Sequence, residues 1–254
     1  MSSNLDSFIK SSRPPPRSLA TSQEIRDRGS IFIGNIFRAT SPDEARKAVA
    51  YLKDVIHAKR RATHEIAAWR CMALKANKTG LGGPDDFEVT SGSDDDGEKY
   101  AGGRVLKVMQ AEGVLDAVVV VSRWYGGEML GPIRFEHMET CAREVCRSFA
   151  LKEEIEDSII TLTTLDSILI TLREELAQLR TVDLSSPAEG VPPPAEDLKL
   201  KKTQDYSSLR DTLDVKKAKR LITARENSIK SVKASLAKLK EQHAMPVDGN
   251  KSDN

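Results

Sequence analysis

The stretch that decides the fold is residues 114–127, which read VLDAVVVVSRWYGG. An unbroken β-branched run ending at Val121 is typical of a strand that is buried on both faces of a sheet. The run carries residues 123–125 to its end, where Gly126-Gly127 permits a tight turn or a close backbone approach. We therefore expect a central strand whose end presents basic and aromatic side chains.

The sequence around this strand alternates between strand and helix periods. The predicted strands are residues 30–40, 65–75, 87–90 and 114–121, and the predicted helices are residues 41–59, 101–111 and 132–149. Ser41 is a predicted N-cap, and Gly34 predicts a bulge or bend in the first of these strands. Alternating strands and helices predict an α/β layer structure, with helices packed on a sheet.

Composition excludes several classes of protein. The 254 residues carry 39 basic and 38 acidic side chains, so the net charge of +1 gives no overall attraction to nucleic acid or membranes. The three cysteines form no CxxC pair, which favours reduced thiols in a cytosolic or nuclear compartment over a disulfide framework. No apolar run approaches the roughly 20 residues that cross a bilayer. We expect a cytoplasmic protein that does not enter membranes.

The ends and boundaries of the domains follow from changes in composition. Residues 1–27 contain Pro14-Pro15-Pro16, which would break a mitochondrial targeting helix, so a disordered N-terminal arm is predicted. Trp and Phe disappear after Ala150, and Leu, Lys and Glu become frequent. This change predicts a compact domain at residues 28–150 and a helical tail after it.

The tail contains two heptad segments of opposite charge. Residues 151–180 have a net charge of −4 and an almost continuous apolar seam, while residues 205–241 are basic, with Arg225 inside the seam. A Pro-rich linker at 181–204 separates the two predicted coiled-coil helices, and residues 242–254 are predicted to be disordered. An antiparallel hairpin within one chain is the expected arrangement, because the linker easily spans two packed helices. Dimerisation through the same seams is the alternative.

Three motifs in the first domain carry the identification of a family. They are ATHEI at 62–66, DDDGE at 94–98 followed by AGGR at 101–104, and SRWYGG at 122–127 followed by LGP at 130–132 and RF at 134–135. In order and spacing they resemble the signature of the IMPACT family, and the resemblance covers about residues 28–148. Lys99 stands where bacterial members usually have proline, so the chain is similar to the eukaryotic branch.

The resemblance implies an α+β two-layer sandwich like the second domain of ribosomal protein S-five, followed here by an all-α coiled-coil tail. It also implies a non-enzymatic regulator of translation. Eukaryotic members bind the ribosome-associated activator of the starvation-sensing kinase and damp the response to amino-acid starvation. Such regulators usually carry an N-terminal RWD domain before the family domain, and here only about 28 residues precede it. The motif residues expected to bind a partner are His64, Asp95, Asp96, Gly97, Glu98, Gly102, Gly103, Arg104, Arg123, Trp124, Tyr125, Gly126, Gly127 and Gly131.

Other interpretations stay open at this point. A module that binds RNA or the ribosome through the basic tail helix is the alternative function, although that helix lacks interleaved aromatic residues. A metal-dependent hydrolase built from His64, the acidic turn and Arg123 is a third. We expect no cofactor and no metal, because the acidic turn matches no defined metal loop. In purely structural terms, His64 would be a satisfied strand-edge histidine and Arg123 would pair with the acidic turn.

Overall fold

The computed structural model describes residues 14–183 and 204–244. The chain divides into two compact units, Met1–Ala150 and Leu151–Asn254, which we call the α+β unit and the helical unit. In the described part of the chain, no helix combines the length and the apolar character that a membrane span requires.

The α+β unit is built on one antiparallel sheet of six strands. Its strands are β1 (Ser18–Thr21), β2 (Ile25–Asp27), β3 (Ser30–Arg38), β4 (His64–Leu74), β5 (Phe87–Asp94) and β6 (Ala117–Trp124). Their order is β1-β3-β6-β4-β5, and β2 pairs with β3 beside β1. The strand that decides the fold, β6, therefore lies in the middle of the sheet between β3 and β4.

The described helices are α1 (Pro42–Tyr51), α2 (Ala101–Ala111), α3 (Ile133–Asp183), α4 (Ser207–Thr212) and α5 (Val215–Ala244). A π-helical turn, Leu52–Ile56, extends α1, and a short 3-10 turn, Pro84–Asp86, precedes β5. Ser41 caps α1 as predicted, since its hydroxyl accepts a hydrogen bond from the amide of Glu44 at 3.3 Å. The helices predicted at 132–149 and 151–180 form one continuous helix, α3.

The valines of β6 fill the core on both sides of the sheet. Val119 and Val121 belong to a buried cluster with residues of α2 and α3, whereas Val118 and Val120 belong to a cluster with α1. Side chains alternate between the faces of a strand, so the unbroken valine run serves both clusters. The prediction of a strand buried on both faces is confirmed. Helix α1 adds a layer that a two-layer description of the sandwich leaves out.

Several predicted boundaries and one predicted irregularity are wrong. Residues 18–27 lie in the predicted disordered arm, yet they form β1 and β2. Strand β5 continues to Asp94 rather than ending at residue 90, and β6 starts at Ala117 rather than at residue 114. Gly34 makes no bulge against β6. Its role is close packing, because an added Cβ would lie 2.9 Å from the carbonyl oxygen of Cys141.

The helical unit packs α4 and α5 against the part of α3 after Ala150. Ion pairs connect Glu154 with Lys219 at 2.7 Å and Glu175 with Lys240 at 2.7 Å, so residue numbers rise together along both helices. Helices α3 and α5 are therefore parallel, and the predicted antiparallel hairpin is wrong. An acidic and a basic helix can form ion pairs in either the parallel or the antiparallel orientation, so their charges could not predict the orientation. Of the predicted linker at 181–204, residues 181–183 belong to α3, and of the predicted disordered end at 242–254, residues 242–244 belong to α5. Residues 184–203 and 245–254 lie outside the described residues.

Candidate functional site

A cleft of about 270 Å³ opens where β4 begins and β6 ends. The two strands meet there as a register pair, His64 opposite Arg123, and the amide of Thr63 donates to the Arg123 carbonyl oxygen at 2.8 Å. We call this the Arg123 cleft; it is lined by Thr63, His64, Glu98, Arg123, Tyr125, Met129, Leu130, Gly131 and Arg134. Residues from all three motifs thus contribute to one cavity.

Glu98 lines the cleft and is shared by two arginines. Its Oε1 accepts from Nη1 of Arg123, and its Oε2 accepts from Nε of Arg134 at 2.9 Å. The side chains of Glu98 and Arg123 are only 8% and 5% exposed, so the ion pair is nearly removed from water. Burial, followed by the neighbouring charge of Arg134, lowers the pKa of Arg123.

Phe32 and Tyr125 flank the guanidinium of Arg123, with their ring centroids 5.5 and 5.4 Å away. Nε of Arg123 is buried and has no hydrogen-bond partner among the described residues. Arg134 belongs to the third motif but is not among the predicted site residues, and the fold brings it beside Arg123 through their shared contact with Glu98. Its own Nη1 donates to the carbonyl oxygen of Gly131 at 2.6 Å.

A hydrogen bond to the backbone fixes the orientation of His64. Its Nδ1 lies 2.7 Å from the carbonyl oxygen of Asp96. Because a carbonyl only accepts, Nδ1 carries a proton and Nε2 is left facing the cleft, 3.6 Å from Oε1 of Glu98. Gly97 fits beneath the ring, since an added Cβ would lie 3.3 Å from Nδ1.

The acidic turn is mainly a scaffold for the start of α2. The two carboxylate oxygens of Asp95 accept from the amides of Tyr100 and Gly102 at 2.9 and 2.8 Å. Such bonds satisfy free amides at a helix N-terminus. Gly102 is required at this contact, because a Cβ would lie 2.8 Å from the carbonyl oxygen of Asp94. Glu98 is therefore the one acid of this turn that lines the cleft.

A second polar cluster lies on the other face of the sheet. Buried Glu65 accepts from the hydroxyl of Ser122 at 2.5 Å, and its other oxygen lies 2.7 Å from Nδ1 of His57. Trp124 is on this side, with its ring edge-on to His57 and its Nε1 donating to the carbonyl oxygen of Arg60. The sequence does contain a signal for two faces, because side chains alternate along a strand at residues 64–65 and 122–123. The strand register is needed to show that His64 pairs with Arg123 and Glu65 with Ser122.

Gly103 and Arg104 line a separate groove of about 570 Å³ between α2 and α3. Arg104 pairs there with Glu139 at 2.9 Å. The ring of Phe135 lies between Arg104 and Arg134, with centroid distances of 4.6 and 4.2 Å. Phe135 thus stands between the groove and the Arg123 cleft.

The glycines after β6 have different surroundings. Gly126 packs directly against the backbone of Gly29 and Ser30, whereas Gly127 (φ +88°) and Gly131 (φ +63°) have open space where a Cβ would be. The predicted site therefore divides by location. In the cleft or at its wall lie His64, Gly97, Glu98, Arg123, Tyr125, Gly131 and the backbone of Asp96, while Trp124, Asp95, Gly102, Gly103, Arg104, Gly126 and Gly127 lie elsewhere.

Together these observations define an α+β domain with an arginine-rich cleft at the end of its central strand. Residues 28–146 match the family model described as the Impact N-terminal domain. This part of the chain belongs to the IMPACT family.

Curated relatives include Protein IMPACT of Rattus norvegicus, 37% identical over 134 residues, which are 52% of this chain and 37% of the relative. The Protein IMPACT homolog of Saccharomyces cerevisiae is 37% identical over 123 residues, 48% of this chain and 43% of the relative. The chain thus spans about two fifths of the length of these relatives.

Two solved structures are also similar. One is described as the two-domain translational regulator Yih1; it is 35% identical, with 49% of this chain and 44% of that chain covered and a TM-score of 0.32. The other is a hypothetical protein that is 25% identical, with 52% and 59% covered and a TM-score of 0.40.

Proposed function

We propose that the protein is a non-enzymatic regulator of translation that acts in the cytoplasm by binding another protein. Membership of residues 28–146 in the IMPACT family supports the translational role. Within that role, we propose that the protein modulates the kinase pathway of amino-acid starvation by binding the ribosome-associated activator of the kinase. We also propose that the α+β unit shares the fold of the second domain of ribosomal protein S-five.

The observation that favours a binding function over catalysis is that the polar side chains of the Arg123 cleft bond to each other. Both oxygens of Glu98 are engaged by arginines, and Nε2 of His64, the nitrogen that a general base would use, lies 3.6 Å from this paired carboxylate. The hydroxyl of Ser122 donates to Glu65 on the opposite face of the sheet, away from His64. A nucleophile beside a general base is the usual arrangement for covalent hydrolysis. A carboxylate held by two arginines is not free to take a proton from substrate, so the cleft is better suited to recognition.

The helical unit supports a protein partner as well. Ile160, Ile168 and Ile170 of α3 are 63%, 42% and 40% exposed. Exposed large apolar side chains on a helix favour contact with another helix. We propose that α3 and α5 act as a coiled coil that helps to select the partner, with self-association as the competing use of the same surface.

Affinity purification of the full chain from starved and fed cells tests this function. The Ile160→Ser/Ile168→Ser variant would lose co-purifying ribosome-associated proteins and the effect on initiation-factor phosphorylation, while its helix content stays unchanged. Thr161→Ser/Thr164→Ser, on the exposed part of the same helix, is the matched control. Full activity of the isoleucine variant, or turnover of a small substrate abolished by His64→Ala without unfolding, would contradict the proposal.

RNA or ribosome binding through α5 is the second candidate, favoured by the exposed bases Lys216, Lys217 and Arg220. Against it, Lys219, Arg225 and Lys240 already form ion pairs with α3. This candidate predicts salt-sensitive association with ribosomes, because cationic contacts to phosphates release counterions. Neutralising Lys216, Lys217, Lys219 and Arg220 would abolish that association.

A further inference from the structure

The Arg123 cleft contains more positive charge than the protein itself balances. Two guanidiniums, Arg123 and Arg134, share the single carboxylate of Glu98. In the described residues, no other carboxylate forms an ion pair within 4.0 Å of either guanidinium. The two guanidiniums therefore carry one more positive charge than Glu98 balances, and because Arg123 is nearly buried a further negative charge would be favourable in the cleft.

The donors available to an added anion come from several elements. Arg123 is nearly buried, with Nε unpartnered among the described residues, and it lines the cleft at the end of β6. Arg134 is 27% exposed in the first turn of α3, and Thr63 adds a hydroxyl from the segment before β4. The amide end of a long helix such as α3 also favours a negative group.

We propose that the Arg123 cleft binds a phosphate group carried by a larger molecule. A tetrahedral oxyanion accepts hydrogen bonds from several directions, which matches donors on separate elements better than a flat carboxylate does. The cleft volume of about 270 Å³ leaves room for the carrier next to the phosphate. Tyr125, 43% exposed at the wall, and Met129, 80% exposed, offer apolar surface to that carrier. This proposal does not depend on a role in translation.

The first experiment titrates the purified full chain with inorganic phosphate, against sodium chloride at matched ionic strength. We expect saturable changes in the amide NMR signals of Thr63, Tyr125 and Gly131. Arg134→Gln should weaken phosphate binding at least about tenfold, the order expected when one charge-assisted contact is removed. Arg143→Gln makes the same change of charge on the same helix, in the α2–α3 groove outside the cleft, and should bind like the wild type.

Stability separates a ligand site from a purely structural ion pair. Added phosphate should raise the unfolding temperature of the wild type but not that of Arg134→Gln, because a ligand stabilises the folded state only where it binds. Arg134→Lys keeps the charge and should retain part of the phosphate binding. Signals unmoved by phosphate beyond the chloride control would overturn the proposal. Equal binding by Arg134→Gln and Arg143→Gln would overturn it as well.

Two further titrations identify the carrier. A phosphoserine peptide represents a modified protein partner, and adenosine monophosphate represents a free nucleotide. Tighter binding of either one than of inorganic phosphate, lost in Arg134→Gln, supports the proposal and names the source. Weaker binding of both than of inorganic phosphate contradicts a site for a carried phosphate.

Discussion

Asp166 and Arg225 form an ion pair between the parallel helices α3 and α5, with 2.5 Å between Oδ1 and Nε. Tyr206 donates to the second carboxylate oxygen of Asp166, also at 2.5 Å. The basic residue that weakens the heptad seam of the second tail segment is thus matched by one acid of the first. A specific polar pair inside a helix interface sets the register and direction of the helices.

Removing this acid should destabilise the helical unit. Asp166→Ala leaves Nε of Arg225 and the Tyr206 hydroxyl without their acceptor, at a cost of roughly 2 kcal/mol in the free energy of unfolding. Urea unfolding followed by circular dichroism measures the change, with Asp157→Ala, an exposed acid of the same helix, as the control. Asp166→Leu/Arg225→Leu should recover most of the loss. A double variant no more stable than Asp166→Ala would show that the pair is not the cause.

The buried carboxylate of Glu98 should be essential for the α+β unit. Glu98→Gln leaves two guanidiniums without a counter-charge, and breaking a buried ion pair in this way costs roughly 3–5 kcal/mol. Glu139→Gln removes an acid from the partly exposed pair with Arg104 and should cost less than about 1 kcal/mol. Chemical unfolding of both variants measures the difference. Equal losses would mean that Glu98 is solvated in solution.

Two adjacent glycines should respond differently to alanine. At Gly126 a Cβ would lie 2.0 Å from the carbonyl carbon of Gly29, so Gly126→Ala forces the backbones apart at a cost of roughly 3 kcal/mol or more. Gly127 has open space and φ +88°, so Gly127→Ala should cost only about 1 kcal/mol of conformational strain. Thermal unfolding of the two variants checks the order. A larger loss at Gly127 would contradict the packing at this turn.

The N-terminal strands should give the fold a dependence on acid pH. Hydrogen bonds from Arg28 and His137 lower the pKa of Asp27 to about 2, from an ordinary value of 3.8. A lowered pKa in the folded state stabilises the protein above pH 3.8, and this contribution is lost as the pH falls toward 2. The stability difference between wild type and Asp27→Asn should therefore shrink over that range. Urea titrations at pH 5, 3.5 and 2 measure it, and a constant difference would refute the assignment.

The sequence predicted what depends on local periodicity. The valine run located the central strand, and the N-cap at Ser41 and the spacing of α2 located helices. It did not reveal β1 and β2, because strands of four and three residues at a sheet edge carry too short a pattern. Heptads define a seam but not the direction of its partner, so the orientation of α5 was open to error.

The candidate site was predictable only in part. Motif residues lead to His64, Glu98 and Arg123 because all three lie within three residues of the end of a predicted element. The pairing of Arg134 with Glu98 depends on how α3 crosses the sheet, which no local pattern encodes. Arg123 and Trp124 point to opposite faces because they are neighbours in a strand. The predicted strand ended at residue 121, so the structure was needed to show that β6 continues to Trp124.

Asp96 makes contacts on both sides of the sheet. Its carbonyl oxygen bonds His64 in the Arg123 cleft, while its carboxylate accepts from the amide of Glu65 at 2.7 Å and lies 3.4 Å from Nζ of Lys53 beside α1. A molecule that displaces the imidazole of His64 would therefore also strain the backbone of Asp96, whose carboxylate is bound on the α1 side of the sheet. Binding of a molecule in the Arg123 cleft would then alter the contacts of Asp96 with Glu65 and Lys53 through this one residue, without a helix movement.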